Sequence, residues 1–480
     1  MIRWGILGAG KIAHRFCESL SRESESVLKA ISCRTEEKGA AFAEKHHAER
    51  YYLDHGSLLT DPEVDAIYLA LPHRLHREWA IKALRAGKAV LCEKPAALNE
   101  QEMRDIAETA RESGVLFMEA MKTRFVPLYG RLKELVTSGA IGEITEVKTS
   151  LCNEIPAQKT AFTYHREPGQ GGALLDGGIY CASWLEDFLP GEPVLENISA
   201  VIKNEVDEYV DAHLGFEGRS AKLECAFDRK KPRVTVIVGT KGTIEAWELH
   251  RAQSMTIQIP GKESRIIEMP YEVDDFYGQI HHFVTCLKER RGESDVMPLA
   301  ASIRCARILD VIRRGFIYTS RCLEVLEEQE TMLKFEQFGS EEALGLGTAI
   351  AELAREYDRE ISVRITRETD EAVLFQYMMD SKGPRNEWFM EGKRRAVLDT
   401  GHSSLWPYVE HKINGRWQEM FENDRTSLPA GGAFPIRVGE EQVATVAVSG
   451  LHEGKDHELV IRGLEKVLGK KVPVFPGAAV

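Results

Sequence analysis

Apolar positions in the first 121 residues fall into short runs separated by amphipathic stretches. IRWGIL (2–7), VLKAISC (27–33), DAIYLALP (65–72), AVLC (89–92) and VLFMEAM (115–121) have strand length and strand composition. Between them, EEKGAAFAEKH (36–46), HREWAIKALRAG (76–87) and NEQEMRDIAETARESG (99–114) carry helical spacing. The second helix stops at Gly87; the third opens on Asn99 and closes on Gly114. This alternation predicts an α/β fold with a parallel, doubly wound sheet.

The pattern changes near residue 143. EITEVKTSL, EYVDAHLGFEG, SAKLECAFD, RVTVIVGTKGTIEAW and MTIQIP are strand-like runs joined by turns, with a hairpin expected through Thr240-Lys241-Gly242. They predict an α/β domain built on an open, mainly antiparallel sheet. Amphipathic helices follow at 276–292 and 299–316. A third unit starts after the acidic stretch LEVLEEQE (323–330). It has a helical pattern over 340–358, with Ser340 as the expected cap, and strands at 361–367 and 372–379. A basic helix (386–401), the turn-rich PAGGAFPIRVG and a last strand, QVATVAVSG, complete it. Three domains are therefore expected, at 1–122, 123–325 and 332–480, the last a smaller α/β domain.

Charge and cysteine usage narrow the partners. A net charge of −13 argues against a nucleic-acid partner. No apolar run is long enough to span a bilayer, and the chain enters a strand directly at MIRWGILGAG, without the features of a signal peptide. The nine cysteines are scattered with no CxxC pair, so reduced thiols and a cytoplasmic location are expected. No metal site is expected, because the pairs His46-His47 and His281-His282 are adjacent in sequence and point apart.

The chemistry concentrates at strand ends. Gly8-x-Gly10-x-x-Ala13 stands between the first strand and a helix. There the glycines permit a tight turn and close backbone approach to a pyrophosphate, with the helix N-terminus facing the anion. The second strand ends in Ser32-Cys33-Arg34-Thr35, with no acid to accept from a ribose 2′-hydroxyl. Arg34 suits a 2′-phosphate, with Ser32 or Thr35 donating, so NADP is favoured over NAD. The plainer reading of Arg34 is a solvated loop arginine. Lys94 follows the strand AVLC, where ligands bind in open α/β sheets. In GGALLDGGIYC (171–181), Asp176 and Tyr180 are four apart and share a face if the segment is helical. A phenol has a pKa of about 10; a neighbouring ammonium is expected to lower it and make Tyr180 a usable acid or base. The plainer reading is a buried tyrosine bonded to an acid.

Together these motifs, with Leu71-Pro72-His73, His76, Glu93-Lys94-Pro95 and MEAMKTRFVPLYGRLKEL (118–135), resemble the Gfo/Idh/MocA oxidoreductases. The likeness is greatest to the branch containing dihydrodiol dehydrogenases and glucose–fructose oxidoreductases. It covers roughly residues 1–320 and implies a Rossmann domain followed by a domain whose sheet covers the site. It also implies hydride transfer between NAD(P) and a carbinol carbon of a sugar, polyol or trans-dihydrodiol, in a homo-oligomer. The implied acid/base is Tyr180, helped by Lys94 and Asp176. The implied cofactor contacts are Gly8, Gly10, Lys11, Ile12, Ser32, Arg34, Leu71, Pro72, His73, His76, Glu93 and Lys94. The third unit resembles the GlcG/HbpS-like domains, which are associated with heme. For an anionic ligand of that kind, His402 and Lys393-Arg394-Arg395 are the candidates; the plainer reading is a solvated basic face and a cap histidine. The competing functional reading is a nucleotide- or heme-responsive sensor or assembly protein.

Overall fold

The computed structural model describes residues 1–156, 163–204, 206–317, 320–357, 359–413, 426–451 and 453–476. Two compact units divide the chain, Met1–Arg313 and Arg314–Val480.

The first unit opens with strands β1 (Ile2–Leu7), β2 (Ser26–Ser32), β3 (Arg50–Tyr52), β4 (Ala66–Leu69), β5 (Ala89–Cys92) and β6 (Phe117–Glu119). They form one sheet in the order β3-β2-β1-β4-β5-β6, every pair parallel. β4 and β5 are buried throughout, as strands covered on both faces must be. β3 is a three-residue edge strand, RYY, half-buried and without an apolar run to announce it. The strand order reverses beside β1, so the ends of β1, β4 and β5 open on one crevice.

Eight further strands make the second sheet: β7 (Ile144–Cys152), β8 (Val194–Lys203), β9 (Val206–Phe216), β10 (Arg219–Ala226), β11 (Val234–Gly239), β12 (Thr243–Trp247), β13 (Ser254–Gln258) and β14 (Arg265–Glu268). Their order is β14-β13-β12-β11-β7-β10-β9-β8, antiparallel except for the β7–β10 pair. The expected hairpin joins β11 to β12. The segment carrying Asp176 and Tyr180 lies against this sheet. It is not one regular helix: a π-turn, Leu174–Gly178, runs into an α-helix, Ile179–Phe188. Close packing explains Gly178, where a Cβ would sit 2.9 Å from the Leu174 side chain and 3.3 Å from Cys225 Sγ on β10; at Gly177 it would meet nothing nearer than 3.5 Å.

In the second unit, β15 (Ser362–Arg367), β16 (Val373–Met378), β17 (Ala433–Val438) and β18 (Glu441–Ser449) form an antiparallel sheet, ordered β16-β15-β18-β17. Its two faces have separate apolar clusters. Val363, Phe434 and Val446 pack with Leu346 and Ile350 of helix Ser340–Leu353 and with Leu459 and Leu464 of helix Glu453–Leu468. Ala433 and Ala447 pack with Met390 and Val397 of helix Pro384–Thr400. The helix at 340 is capped one residue earlier than expected: Gly339 is the N-cap, and its N–H donates to Glu342 at 2.8 Å. The acidic stretch 323–330 lies inside helix Ser320–Met332, whose Cys322, Val325 and Leu326 bury against Leu405 and Val409. All nine cysteines are buried free thiols. Among the described residues, no helix is long and apolar enough to cross a membrane.

Candidate active site

The crevice is assembled from three strand ends. After β1, Gly8 adopts φ +102°, and a Cβ there would lie 2.6 Å from the Ala70 carbonyl. Gly10 caps helix Lys11–Leu20, and nothing lies within 4 Å of where its Cβ would be. Lys11 is exposed and Ile12 half-buried at the start of that helix. A turn closed beneath Gly8 and open above Gly10 fits a pyrophosphate approaching the helix N-terminus.

At the end of β2 the expected residues separate. Ser32 is fully buried, its hydroxyl 2.7 Å from His55 Nδ1 and 3.4 Å from the Ile6 carbonyl. Arg34 is exposed and makes no ion pair among the described residues.

After β4, Leu71 and Pro72 line the crevice edge and lead into two buried histidines. His73 Nδ1 lies 3.0 Å from the Gln170 carbonyl, and burial, with His76 and Lys94, holds the ring neutral, down to about 3. His76 spans the carbonyls of Leu71 and Pro95, each at 2.8 Å, and so ties the β4 loop to the β5 loop. After β5, Glu93 is buried, accepts from the Tyr68 hydroxyl and takes the Lys94 N–H at 3.3 Å. The Lys94–Pro95 peptide is cis.

Lys94 meets the π-turn. Its ammonium donates to Asp176 Oδ1 at 2.7 Å and to the Asp176 carbonyl at 2.9 Å, and it lies 4.9 Å from the centre of the Tyr180 ring. Burial works against both charges, yet each partner holds the other: Lys94 is raised above its ordinary range and the Asp176 carboxyl is held down to about 2. Tyr180 goes opposite to expectation. Burial pushes the phenol up by more than Lys94 pulls it down, leaving it protonated through neutral pH. Its hydroxyl has no protein hydrogen-bond partner among the described residues. The main-chain N–H of Leu174 donates to the buried Asp207 at 2.7 Å, fixing the start of the turn.

Several neighbours were not legible in the sequence. Tyr164 stacks edge-on to His73 at 4.6 Å, and His250 stands 5.9 Å from Tyr180, ring to ring. Lys122 is buried against Asp275, which also binds Arg15 at 2.5 Å. Only long-range folding brings these together; Lys122 falls within the motif 118–135, but nothing there marks its partners.

In the second unit, two of the three basic residues are buried in ion pairs and the third, Arg395, stays on the solvated face. Lys393 is buried on Asp456 at 2.8 Å, Arg394 is buried on Glu368 at 2.5 Å, and Arg395 reaches Glu391 at 3.5 Å. His402 donates from Nδ1 to the Glu330 carboxylate at 2.8 Å and stacks on Trp406.

Three family models match the chain. They are an oxidoreductase family with an NAD-binding Rossmann fold (residues 2–121), the GFO/IDH/MocA C-terminal domain (129–245) and a haem-degrading, HbpS-like protein (338–465). Mouse trans-1,2-dihydrobenzene-1,2-diol dehydrogenase is 31% identical over 65% of this chain and 96% of its own length. The NADP-dependent scyllo-inositol 2-dehydrogenase of Bacillus subtilis is 30% identical over 66% and 98%. Among solved structures, aldose-aldose oxidoreductase from Caulobacter crescentus, complexed with glycerol, aligns with TM-score 0.60 and 25% identity over 65% of this chain and 96% of that one. A 3-ketoreductase from Actinomadura kijaniata with NADP and TDP-benzene aligns with TM-score 0.59 and 26% identity over 65% and 97%. The chain belongs to the Gfo/Idh/MocA family of NAD(P)-dependent oxidoreductases and carries an HbpS-like domain at its C-terminal end.

Proposed function

We propose that this oxidoreductase works on a carbinol or its carbonyl in a sugar, polyol or trans-diol, with NADP as preferred cofactor and Tyr180 as the proton-transferring group. The observation that carries the reading is a phenol with an unpartnered hydroxyl beside a lysine locked to an aspartate, at the end of a parallel strand. The turn Gly8–Gly10, helix start Lys11-Ile12 and Leu71-Pro72 would hold the dinucleotide, and Arg34 its 2′-phosphate. When bound, nicotinamide supplies or accepts the hydride.

The protein supplies the rest. Tyr180, protonated at neutral pH, is set to donate a proton to a carbonyl oxygen during reduction. Lys94 stabilises the phenolate left behind, because its charge is permanent under the ion pair with Asp176. Asp176 positions Lys94 and does not itself move a proton, since its carboxyl is held down to about 2. In oxidation the same groups run in reverse. The likeness to the inositol and dihydrodiol dehydrogenases supports this reaction class. We take the working form to be a homo-oligomer, which light scattering of the purified chain would test.

The test pairs binding with turnover. Nicotinamide fluorescence should report tight NADPH and weaker NADH binding to the full chain. Tyr180→Phe should keep NADPH affinity and lose turnover by about 10²–10⁴-fold. Absence of NADPH binding, or a Tyr180→Phe variant that turns over normally, overturns the proposal.

A further inference from the structure

The turn after β12 carries His250 to Tyr180, with ring centroids 5.9 Å apart and planes at 57°. This placement is built in from three directions. The carbonyl of the preceding residue, Leu249, accepts from Trp184 Nε1 at 3.1 Å and from the Thr123 hydroxyl. Trp184 lies one turn beyond Tyr180 on the same helix, and Thr123 sits in the short 3₁₀ segment Lys122–Phe125 after β6. The helix of the proposed acid, the β6 loop and the β12 turn thus share one carbonyl.

The imidazole so carefully placed has no structural duty. Nδ1 is sealed from solvent without a hydrogen-bond partner, whereas Nε2 bonds to nothing among the described residues and is not sealed, so Nε2 is the nitrogen that a substrate hydroxyl can reach. A buried polar atom left unpaired costs about 1–3 kcal/mol, and a core histidine normally avoids that cost by bonding a carbonyl. His73 and His76, in the segment after β4, do so. Burial, then Lys122 and Arg251, hold the His250 ring neutral, down to about 3. A neutral imidazole has one donor and one acceptor. A hydroxyl has both as well, so either tautomer pairs with it. The C–H edge of a hydrocarbon ring pairs with neither.

We propose that His250 determines substrate specificity at this site: it hydrogen-bonds a hydroxyl neighbouring the reacting carbon and so selects polyhydroxylated substrates, sugars or cyclic polyols, over diols whose remaining face is hydrocarbon. The inference rests on the carbinol oxidoreductase reading above and narrows its substrate class. A site built around a substrate hydroxyl rejects the analogue lacking it, because the protein group is then left unpaired.

The experiment compares wild type, His250→Phe and His250→Asn as full chains, with NADP. One arm measures kcat/KM for a cyclic polyol (scyllo-inositol), an aldose (glucose) and trans-1,2-dihydrobenzene-1,2-diol. A second arm measures binding of the same compounds to the NADP complex by calorimetry, which needs no turnover. Wild type should prefer a polyol or aldose. His250→Phe should lower kcat/KM for that substrate about tenfold or more, through KM, and leave the dihydrodiol within about twofold. His250→Asn, which keeps a donor and an acceptor, should recover part of the loss. Unchanged NADPH affinity certifies that both variants are folded. Equal losses on every substrate, no loss, a wild-type preference for the dihydrodiol, or no binding of any polyol would each overturn the proposal. None of these outcomes touches the underlying reading, which fails instead on NADPH binding or on Tyr180→Phe.

Discussion

Lysine–aspartate pairs occur in both units of this chain, and two of them do different things. Lys94–Asp176 spans 2.7 Å in the first unit; Lys393–Asp456 spans 2.8 Å in the second. Side-chain exposure separates them: 13% and 25% for the first pair, 6% and 3% for the second. In the second unit both partners also hold backbone groups of the protein. Lys393 also donates to the Val448 carbonyl at 3.0 Å, and Asp456 also accepts the Leu451 N–H at 2.9 Å. Burial there outweighs the lysine and leaves the Asp456 carboxyl raised. In the first unit the lysine wins, Asp176 is held down to about 2, and the ammonium stands 4.9 Å from the centre of a phenol ring whose hydroxyl is unpartnered among the described residues. An ion pair becomes chemistry when an uncommitted group stands beside it; otherwise it staples elements together.

Substitution should separate the two roles. The largest effect expected is in the first unit: Lys94→Ala removes the cation that stabilises the phenolate, and kcat should fall about 10²–10³-fold with NADPH still bound. Lys393→Ala should leave turnover unchanged and instead destabilise the second unit by about 3–5 kcal/mol, seen as an earlier melting transition, because Asp456 is then buried alone. If that variant lost activity, the distinction between the pairs would collapse. Replacing both partners with apolar residues, Lys393→Met with Asp456→Leu, should recover most of the lost stability, since a desolvated pair contributes little net. The same exchange at Lys94 and Asp176 should give a folded, inactive protein.

A third buried acid sharpens the point by making no ion pair among the described residues, with Arg313 acting on it only at a distance. Asp207 is held by the Leu174 N–H, and burial raises it to about 7. The folded chain therefore keeps a proton that the unfolded chain, with an ordinary value near 4, gives up. Its contribution to stability is intact below about pH 4 and is lost as pH rises towards 7. Asp176 has the opposite sign: its contribution is present above about pH 4 and disappears as pH falls towards 2. Melting temperatures at pH 4.5 and 7.5 should show a decline in the first unit that Asp207→Asn abolishes. The smallest expected effect is at the surface. Arg34→Ala should weaken NADPH by about tenfold and leave NADH within about twofold, by titration.

Much of the architecture was legible along the chain. Five of the six Rossmann strands, the change to an antiparallel sheet and the β11–β12 hairpin follow from local periodicity and turn residues, which depend on near neighbours only. What escaped has a common cause. RYY at β3 has no apolar pattern because it lies at an edge. The helix across 323–330 hides its buried stripe, Cys322, Val325 and Leu326, among acids. The π-turn at Leu174–Gly178 is a response to packing on the second sheet, which spacing alone does not encode.

The site divides the same way. Sequence by itself determined which residues stand at the strand ends, Gly8 and Gly10, Leu71 to His76, and Glu93 with Lys94, since a motif is fixed by its own strand and turn. Tertiary structure alone decided what their charges meet. Ser32 went to His55 inside the sheet, the 393–395 run went to carboxylates, the Tyr180 phenol rose where an adjacent ammonium promised a fall, and His250 arrived beside it. Burial and long-range partners set the free energy of a charge or a hydroxyl, and neither exists until the chain has folded.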